Sequence, residues 1–169
     1  MNMQNKLIIA GLVLSLSACA GVRDVNHKWC PPEVVAPTVA TERVNLAADA
    51  LFSFDKASST DLLPAGKATL QKLAATLRDG YVQVDKIALV GHTDRLGNDK
   101  YNYQLGLRRS ETVKAYLQSL GVTASITTAS AGETQSITNC PGVKPTPELK
   151  ACLQPDRRVV VEITGVRKK

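Results

Sequence analysis

From Asp99 to Leu120 the chain carries a helical period unbroken by proline, and Gly121 closes it where a helix end favours glycine. That segment demands an amphipathic helix and a broad apolar surface for it to lie against. With residues set at about 100° intervals from Tyr101, Leu105, Val113, Tyr116, Leu117 and Leu120 share one sector, and Arg108, Glu111, Lys114 and Gln118 lie opposite. Arg109 and Asn102 break the pattern: both fall inside the apolar sector, seven residues apart, with Gly106 in the gap between them. A charged residue aimed at the core needs a partner there. Gly106 costs about 1 kcal/mol of helix stability against alanine and should leave the space beside the arginine empty. An inward arginine, an inward amide and a missing side chain together predict a small polar pocket at the N-terminal half of this helix.

The surface for that helix comes from alternating strand and helix patterns. Leu46 to Phe54 is apolar with partial alternation and reads as a strand. Pro64 opens a helix whose buried stripe is Leu63, Leu70, Leu73, Ala74 and Leu77, and Gly80 stops it. Val82 to Val90 supplies a second strand ending at Gly91, Ala124 to Ala129 a third, and Arg158 to Thr164 a fourth, with one helical turn near Glu148 to Leu153. The order β-α-β-α-β-β predicts an α/β domain, two helices packed on one face of a small mixed sheet. The chain has 169 residues, enough for one such domain and a tail but too few for two sizeable cores.

The chemistry expected at this domain is binding. The loop Gly91-His92-Thr93-Asp94 leaves a strand at its carboxyl end, where open α/β sheets commonly hold ligands. Asp94 is thereby placed to face Arg109, either across a ligand or in a salt bridge that only ties loop to helix. His92 has one other histidine for company, His27, and no cysteine spacing makes a zinc site, so no metal is expected. Ser53 and Ser110 lack a histidine base nearby, and no P-loop or dinucleotide fingerprint occurs, so neither an enzyme nor a cofactor is expected. Aromatic residues make up only 4%, which counts against a stacking platform for single-stranded nucleic acid. The net charge of +6 is mild and scattered; without Lys6 it becomes +5, from 20 basic and 15 acidic residues. Such an excess suits an anionic partner without choosing one.

The first residues read as an address. Lys6 is the lone charge before an apolar run from Leu7 to Leu16 that is too short to cross a bilayer. Leu16-Ser17-Ala18-Cys19 then resembles the lipobox of bacterial lipoproteins, which implies a signal peptide over 1–18 and acylation of Cys19. Several acyl chains make a durable anchor. Ala20 follows the cysteine rather than the aspartate typical of inner-membrane retention, so the outer membrane is the expected location. Residues 19–43 have no apolar period and carry Pro31, Pro32 and Pro37, reading as a linker that leaves 44–169 as the domain. Cys30, Cys140 and Cys152 remain for an oxidising compartment, and the short proline-rich loop between Cys140 and Cys152 makes those two the expected disulfide. Closing it constrains the unfolded chain by roughly 3 kcal/mol.

Four motifs then match a known family. Leu51-Phe52-Ser53-Phe54-Asp55-Lys56-Ala57, Gly91-His92-Thr93-Asp94-Arg95-Leu96-Gly97, Tyr101-Asn102-Tyr103-Gln104-Leu105-Gly106-Leu107-Arg108-Arg109-Ser110 and Asp156-Arg157-Arg158-Val159 occur in order. The stretch from about 45 to 165 closely resembles the C-terminal domain of the OmpA family, which includes Pal and MotB and binds peptidoglycan. The cysteine pair also matches the disulfide of the enterobacterial members. The resemblance implies non-covalent binding of the diaminopimelate in the peptidoglycan stem peptide. Asp94 and Arg109 would grip its amino-acid end, with Asn102 and Arg157 in support. Phe54, Asp55, Ala57, Thr93 and Gly106 would form the pocket wall, the loop from Asp55 to Ser58 acting through backbone groups. An ammonium for Asp94 and a carboxylate for the planar fork of Arg109 is sensible chemistry. Backbone N–H groups near Asp99 would take the same carboxylate. Ser110 stands where alanine is usual and Gly106 where serine is common. The role implied is a tether between outer membrane and cell wall, with peptidoglycan and lipid as partners, other envelope proteins compatible with that role, and no nucleic acid.

Overall fold

The computed structural model describes residues 38–168. The signal segment, Cys19, Cys30 and the linker up to residue 37 lie outside the described residues. In chain order the elements are β1 (Val39–Ala47), the single turn α1 (Ala48–Leu51), α2 (Pro64–Asp79), β2 (Tyr81–His92), α3 (Asp99–Ser119), β3 (Ser125–Gly132), α4 (Pro147–Cys152) and β4 (Arg158–Arg167). They build one four-stranded mixed sheet in the order β1-β4-β2-β3. Strand β4 runs antiparallel to both β1 and β2, and β3 lies parallel to β2 because α3 provides the crossover.

One sheet face holds the core. Period-two alternation sends Ile87 and Leu89 of β2 and Val159, Val161 and Ile163 of β4 to the side covered by the helices. Leu70, Leu73 and Leu77 from α2 and Val113 and Leu117 from α3 pack there. Each such side chain contributes about 1.5–3 kcal/mol by leaving water. The α/β architecture read from the sequence is the observed one.

The first strand differs from expectation. It ends at Ala47, and Leu51 and Phe52, in succession, are both buried, which one face of a regular strand cannot do. The chain instead turns through α1, and Phe54 emerges into solvent. At its other end β1 begins at Val39, inside the stretch read as linker. Its outer half carries polar cross-strand pairs in place of an apolar stripe: Arg43 with Glu162 and Thr41 with Thr164. A polar edge strand looks like a tether until its partner strand is known.

Gly106 also plays a different part from the empty space expected of it. A Cβ there would lie 2.4 Å from Ser130 Oγ and 2.9 Å from the Gly91 carbonyl oxygen, and one on Gly91 would lie 1.9 Å from the Gly106 carbonyl oxygen. The two glycines let α3 touch β2 backbone to backbone. Ser110, one turn on, is buried and donates to the carbonyls of Leu107 and Ala129, at 2.8 and 3.1 Å, stitching α3 to β3. Gly91→Ala should therefore lower stability by about 1–3 kcal/mol through forced overpacking, read as a lower urea midpoint.

The loop after β3 is held by one buried carboxylate. Asp156 accepts from the backbone N–H groups of Ile137 and Thr138 and from the hydroxyls of Ser136 and Thr138, at 2.6–3.1 Å. Burial alone would raise its pKa; these bonds outweigh that and hold it below the usual carboxylate range. The Cys140–Cys152 disulfide then joins this loop to the end of α4, as the spacing predicted.

Candidate functional site

A cavity of about 160 Å³ opens at the carboxyl end of β2, between the loop after that strand, the start of α3 and the loop after α1. Asp94, Arg109, Asn102 and Arg157 line it, with Phe54, Asp55 and Thr93. Ala57 and Gly106 do not: Ala57 lies in a neighbouring surface cleft, and Gly106 is spent on the helix–strand contact.

Arg109 points inward as the helical phase required; it is 3% exposed, whereas Arg108 faces solvent. Its Nε donates to the Lys56 carbonyl at 3.0 Å and its guanidinium lies 5.8 Å from the Phe52 ring centroid. Burial pushes its pKa down, opposed by Asp49 and Asp55 and reinforced by Arg157. Its Nη1 is buried without a hydrogen-bond partner among the described residues.

The salt bridge between Asp94 and Arg109 that the sequence allowed is not formed. Asp94 Oδ2 accepts from Arg157 Nη1 at 2.7 Å, and its Oδ1 accepts from the Leu96 N–H at 2.9 Å. Arg157 reaches across to Asp49 in α1 as well, with its Nε and Nη2 on that carboxylate at 2.6–3.1 Å. Its Nη1 also donates to the Lys150 carbonyl at 3.1 Å. The bonds it donates to Asp49, and then to Asp94, raise the pKa of Arg157 against the effect of burial. Arg157 is thus a clamp between two carboxylates, and Asp49 is a residue that no sequence pattern singled out.

Asn102 acts on the loop. Its Nδ2 donates to the carbonyls of Asp94 and Leu96, each at 3.3 Å, and to Glu133. This holds the turn that presents Asp94. The helix-start N–H groups expected to meet a ligand are already engaged, since Asn98 Oδ1 accepts from Lys100 and Tyr101 at 3.0 and 3.3 Å. On the facing loop, Asp55 has a φ of 59°, a left-handed conformation that carries strain in a residue with a Cβ. Its carboxylate accepts from the Tyr101 hydroxyl at 2.8 Å. The disulfide-closed loop completes the rim through Pro145 and Lys150, and Arg95 ties it to the Asp94 loop by donating to the Cys140 and Gly142 carbonyls, both at 2.7 Å. Neither wall was legible from spacing.

The described residues contain three buried side-chain polar atoms without a partner, and two of them, Arg109 Nη1 and Thr93 Oγ1, belong to residues lining this cavity. Native interiors seldom leave such groups unmade, so the cavity is suited to a polar ligand. A cation donor at Arg109, the remaining lone pairs of Asp94 and Asp55, and an apolar lip from Phe54 and Leu96 suit a small zwitterion. Among the described residues no cluster of three His, Cys, Asp or Glu side chains is placed to hold a metal.

The third orphan, His92 Nδ1, lies on a residue that lines a separate cavity. Burial first, then the charges of Arg158 and Arg43, lowers the His92 pKa from 6.5 to about 4. The unfolded chain therefore takes up a proton that the folded chain refuses, and stability should fall as pH drops from 6.5 towards 4. Urea denaturation at pH 7 and pH 5 checks this: the loss on acidification should shrink in His92→Gln.

Comparison with known proteins places these features. The model of the OmpA family matches residues 53–144. Outer membrane protein A of Escherichia coli O157:H7 is 38% identical over 159 residues, covering 92% of this chain, while the chain spans only 45% of that protein's length. Among solved structures, the peptidoglycan-associated lipoprotein from Burkholderia pseudomallei aligns over 70% of this chain and 88% of its own, with a TM-score of 0.52 and 28% identity. The periplasmic domain of Helicobacter pylori MotB aligns over 74% of this chain and 76% of its own, with a TM-score of 0.57 and 19% identity, a likeness of fold. With its four motifs gathered around one cavity and the family model spanning more than half its length, the chain belongs to the OmpA family.

Proposed function

We propose that the cavity binds peptidoglycan non-covalently by taking the zwitterionic end of a stem-peptide diaminopimelate. The observation that carries this reading is the unpartnered Arg109 Nη1 in a cavity that also presents Asp94 and Asp55. A ligand carboxylate completes the guanidinium, and the adjacent ammonium takes the free lone pairs of the carboxylates. Thr93 Oγ1 supplies one further hydrogen bond. Arg157 and Asn102 position Asp94, and the loop of Phe54 and Asp55 closes over the side chain. No bond is made or broken; the chemistry is retention. The relative described as a peptidoglycan-associated lipoprotein supports the same ligand class.

Sedimentation with purified sacculi tests the reading. Wild type should co-sediment and Asp94→Ala should remain largely in the supernatant while keeping its circular dichroism spectrum. Equal sedimentation of the folded variant would assign the residue to structure alone.

Retention of a wall becomes a tether when the other end is fixed. The segment Leu16-Ser17-Ala18-Cys19 supports acylation at Cys19 and attachment to the outer membrane. Cells fed a palmitate analogue should label the wild-type chain, and Cys19→Ala should abolish the label.

A further inference from the structure

The sheet face turned away from the helices carries a second concavity of about 320 Å³. Val90 and Val160, opposite each other in the ladder between β2 and β4, make an apolar floor. His92 and Arg158, the next facing pair, stand at one end; Arg43 and Glu162, paired between β1 and β4, stand at the other. Gln135 and Ile137 form a wall, held there by the Asp156 carboxylate.

The charges at this site are not closed. Arg158 is 7% exposed, yet its guanidinium donates only to backbone carbonyls, of Asp156 at 3.2 Å and Gln135 at 3.1 Å. No carboxylate among the described residues lies within ion-pair distance of it; the Asp156 charge favours its protonated form from further off, Arg43 opposes it, and burial prevails. A buried guanidinium normally has an anionic partner. Beside it His92 is 2% exposed and its Nδ1 has no partner among the described residues. A guanidinium held only by carbonyls, an unpartnered imidazole nitrogen and a valine floor suit one kind of ligand: an anion with an apolar body.

We propose that this second cavity binds a small organic carboxylate, its charged end between Arg158 and His92, its hydrocarbon body on Val90, Val160 and Ile137, and the Arg43 charge drawing it in from the far end. Glu162 holds Arg43 in the free protein and offsets its charge, which weakens the field that draws an anion to the site. The site is independent of the cavity around Arg109, from which it is separated by the sheet.

The test is titration of the full chain with sodium isovalerate at constant ionic strength, followed by the imidazole resonances. His92 should shift and saturate, while an equal amount of sodium chloride, the control for bulk salt, should leave it in place. Acetate should bind more weakly, for want of a body, and 3-methylbutanol should not saturate, for want of a charge. Glu162→Gln should tighten isovalerate binding, and Arg43→Gln should weaken it by roughly two- to fivefold, as the loss of an exposed charge implies. Arg158→Lys should weaken it about tenfold or more by removing the fork. Arg43 and Glu162 are surface residues, so their variants decide the matter even where Arg158→Lys fails to fold. A response that is linear in isovalerate, that is matched by 3-methylbutanol, or that vanishes in Arg109→Gln would overturn the proposal, the last by placing the carboxylate in the other cavity. Unchanged affinity in both Arg43→Gln and Glu162→Gln would overturn it as well.

Discussion

Arg157→Ala should destabilise the domain by about 3–5 kcal/mol, more than any other single truncation at the site. The arginine side chain is 13% exposed and bridges two carboxylates, Asp49 and Asp94, whose side chains are 26% and 11% exposed. Truncation leaves both anions short of water and without their cation, which is the costly way to break a part-buried ion pair. It also frees α1 from the loop after β2, two elements far apart in the chain. Urea denaturation should show the lower midpoint directly. Asp49→Asn and Asp94→Asn should each cost less than Arg157→Ala, because Arg157 keeps one carboxylate in either variant. A midpoint within experimental error of wild type for Arg157→Ala would mean that the three-residue bridge is solvated and contributes no more than an exposed ion pair.

Arg109→Ala should weaken binding of a diaminopimelate-containing muropeptide by roughly 10- to 150-fold, the equivalent of a charge-assisted contact of about 1.5–3 kcal/mol. Arg108→Ala should change it little, since that side chain faces solvent on the other side of the same helix. Stability should respond differently from affinity. Arg109 gives up one hydrogen bond to the Lys56 carbonyl and a contact with the Phe52 ring, and its removal also relieves a buried, incompletely partnered cation. The folded variant is therefore expected to remain stable enough for calorimetry. Asp94→Ala should match the affinity loss, and the double variant should lose less than the sum, because both residues hold one ligand group. Folded variants that bind like wild type would remove the cavity from the function. A loss confined to Arg108→Ala would put the ligand on the outer cleft beside Asp55 and Thr112 instead.

How much of the fold and the site is legible in the sequence depends on how far each interaction reaches along the chain. The inward face of α3 is legible because a helix repeats every few residues: Leu105, Arg109, Val113 and Leu117 declare their side by spacing alone, and Asn102 declares itself with them. The capping and stop signals at Pro64, Gly80 and Gly121 are equally local. The Cys140–Cys152 bridge closes so short a loop that its pairing is the natural one. The first strand misleads because its polarity is balanced by Glu162 and Thr164, more than a hundred positions away.

The partners of the site residues belong to the same class. Nothing near Asp94 in the sequence says that Arg157, 63 residues on, takes its carboxylate, or that Asp49, 108 residues before that arginine, takes the other side of its guanidinium. Nor does spacing say that Gly106 meets the backbone of Gly91 where a pocket was expected. By itself the sequence determined the α/β class, the inward turn of Arg109 and Asn102 and the disulfide, because each follows from backbone periodicity or a short loop. The tertiary structure decided which acid meets which arginine, what lies beside Gly106 and which walls enclose the cavity. Those outcomes depend on strand order and close packing, which bring distant residues together through geometry that no local pattern encodes.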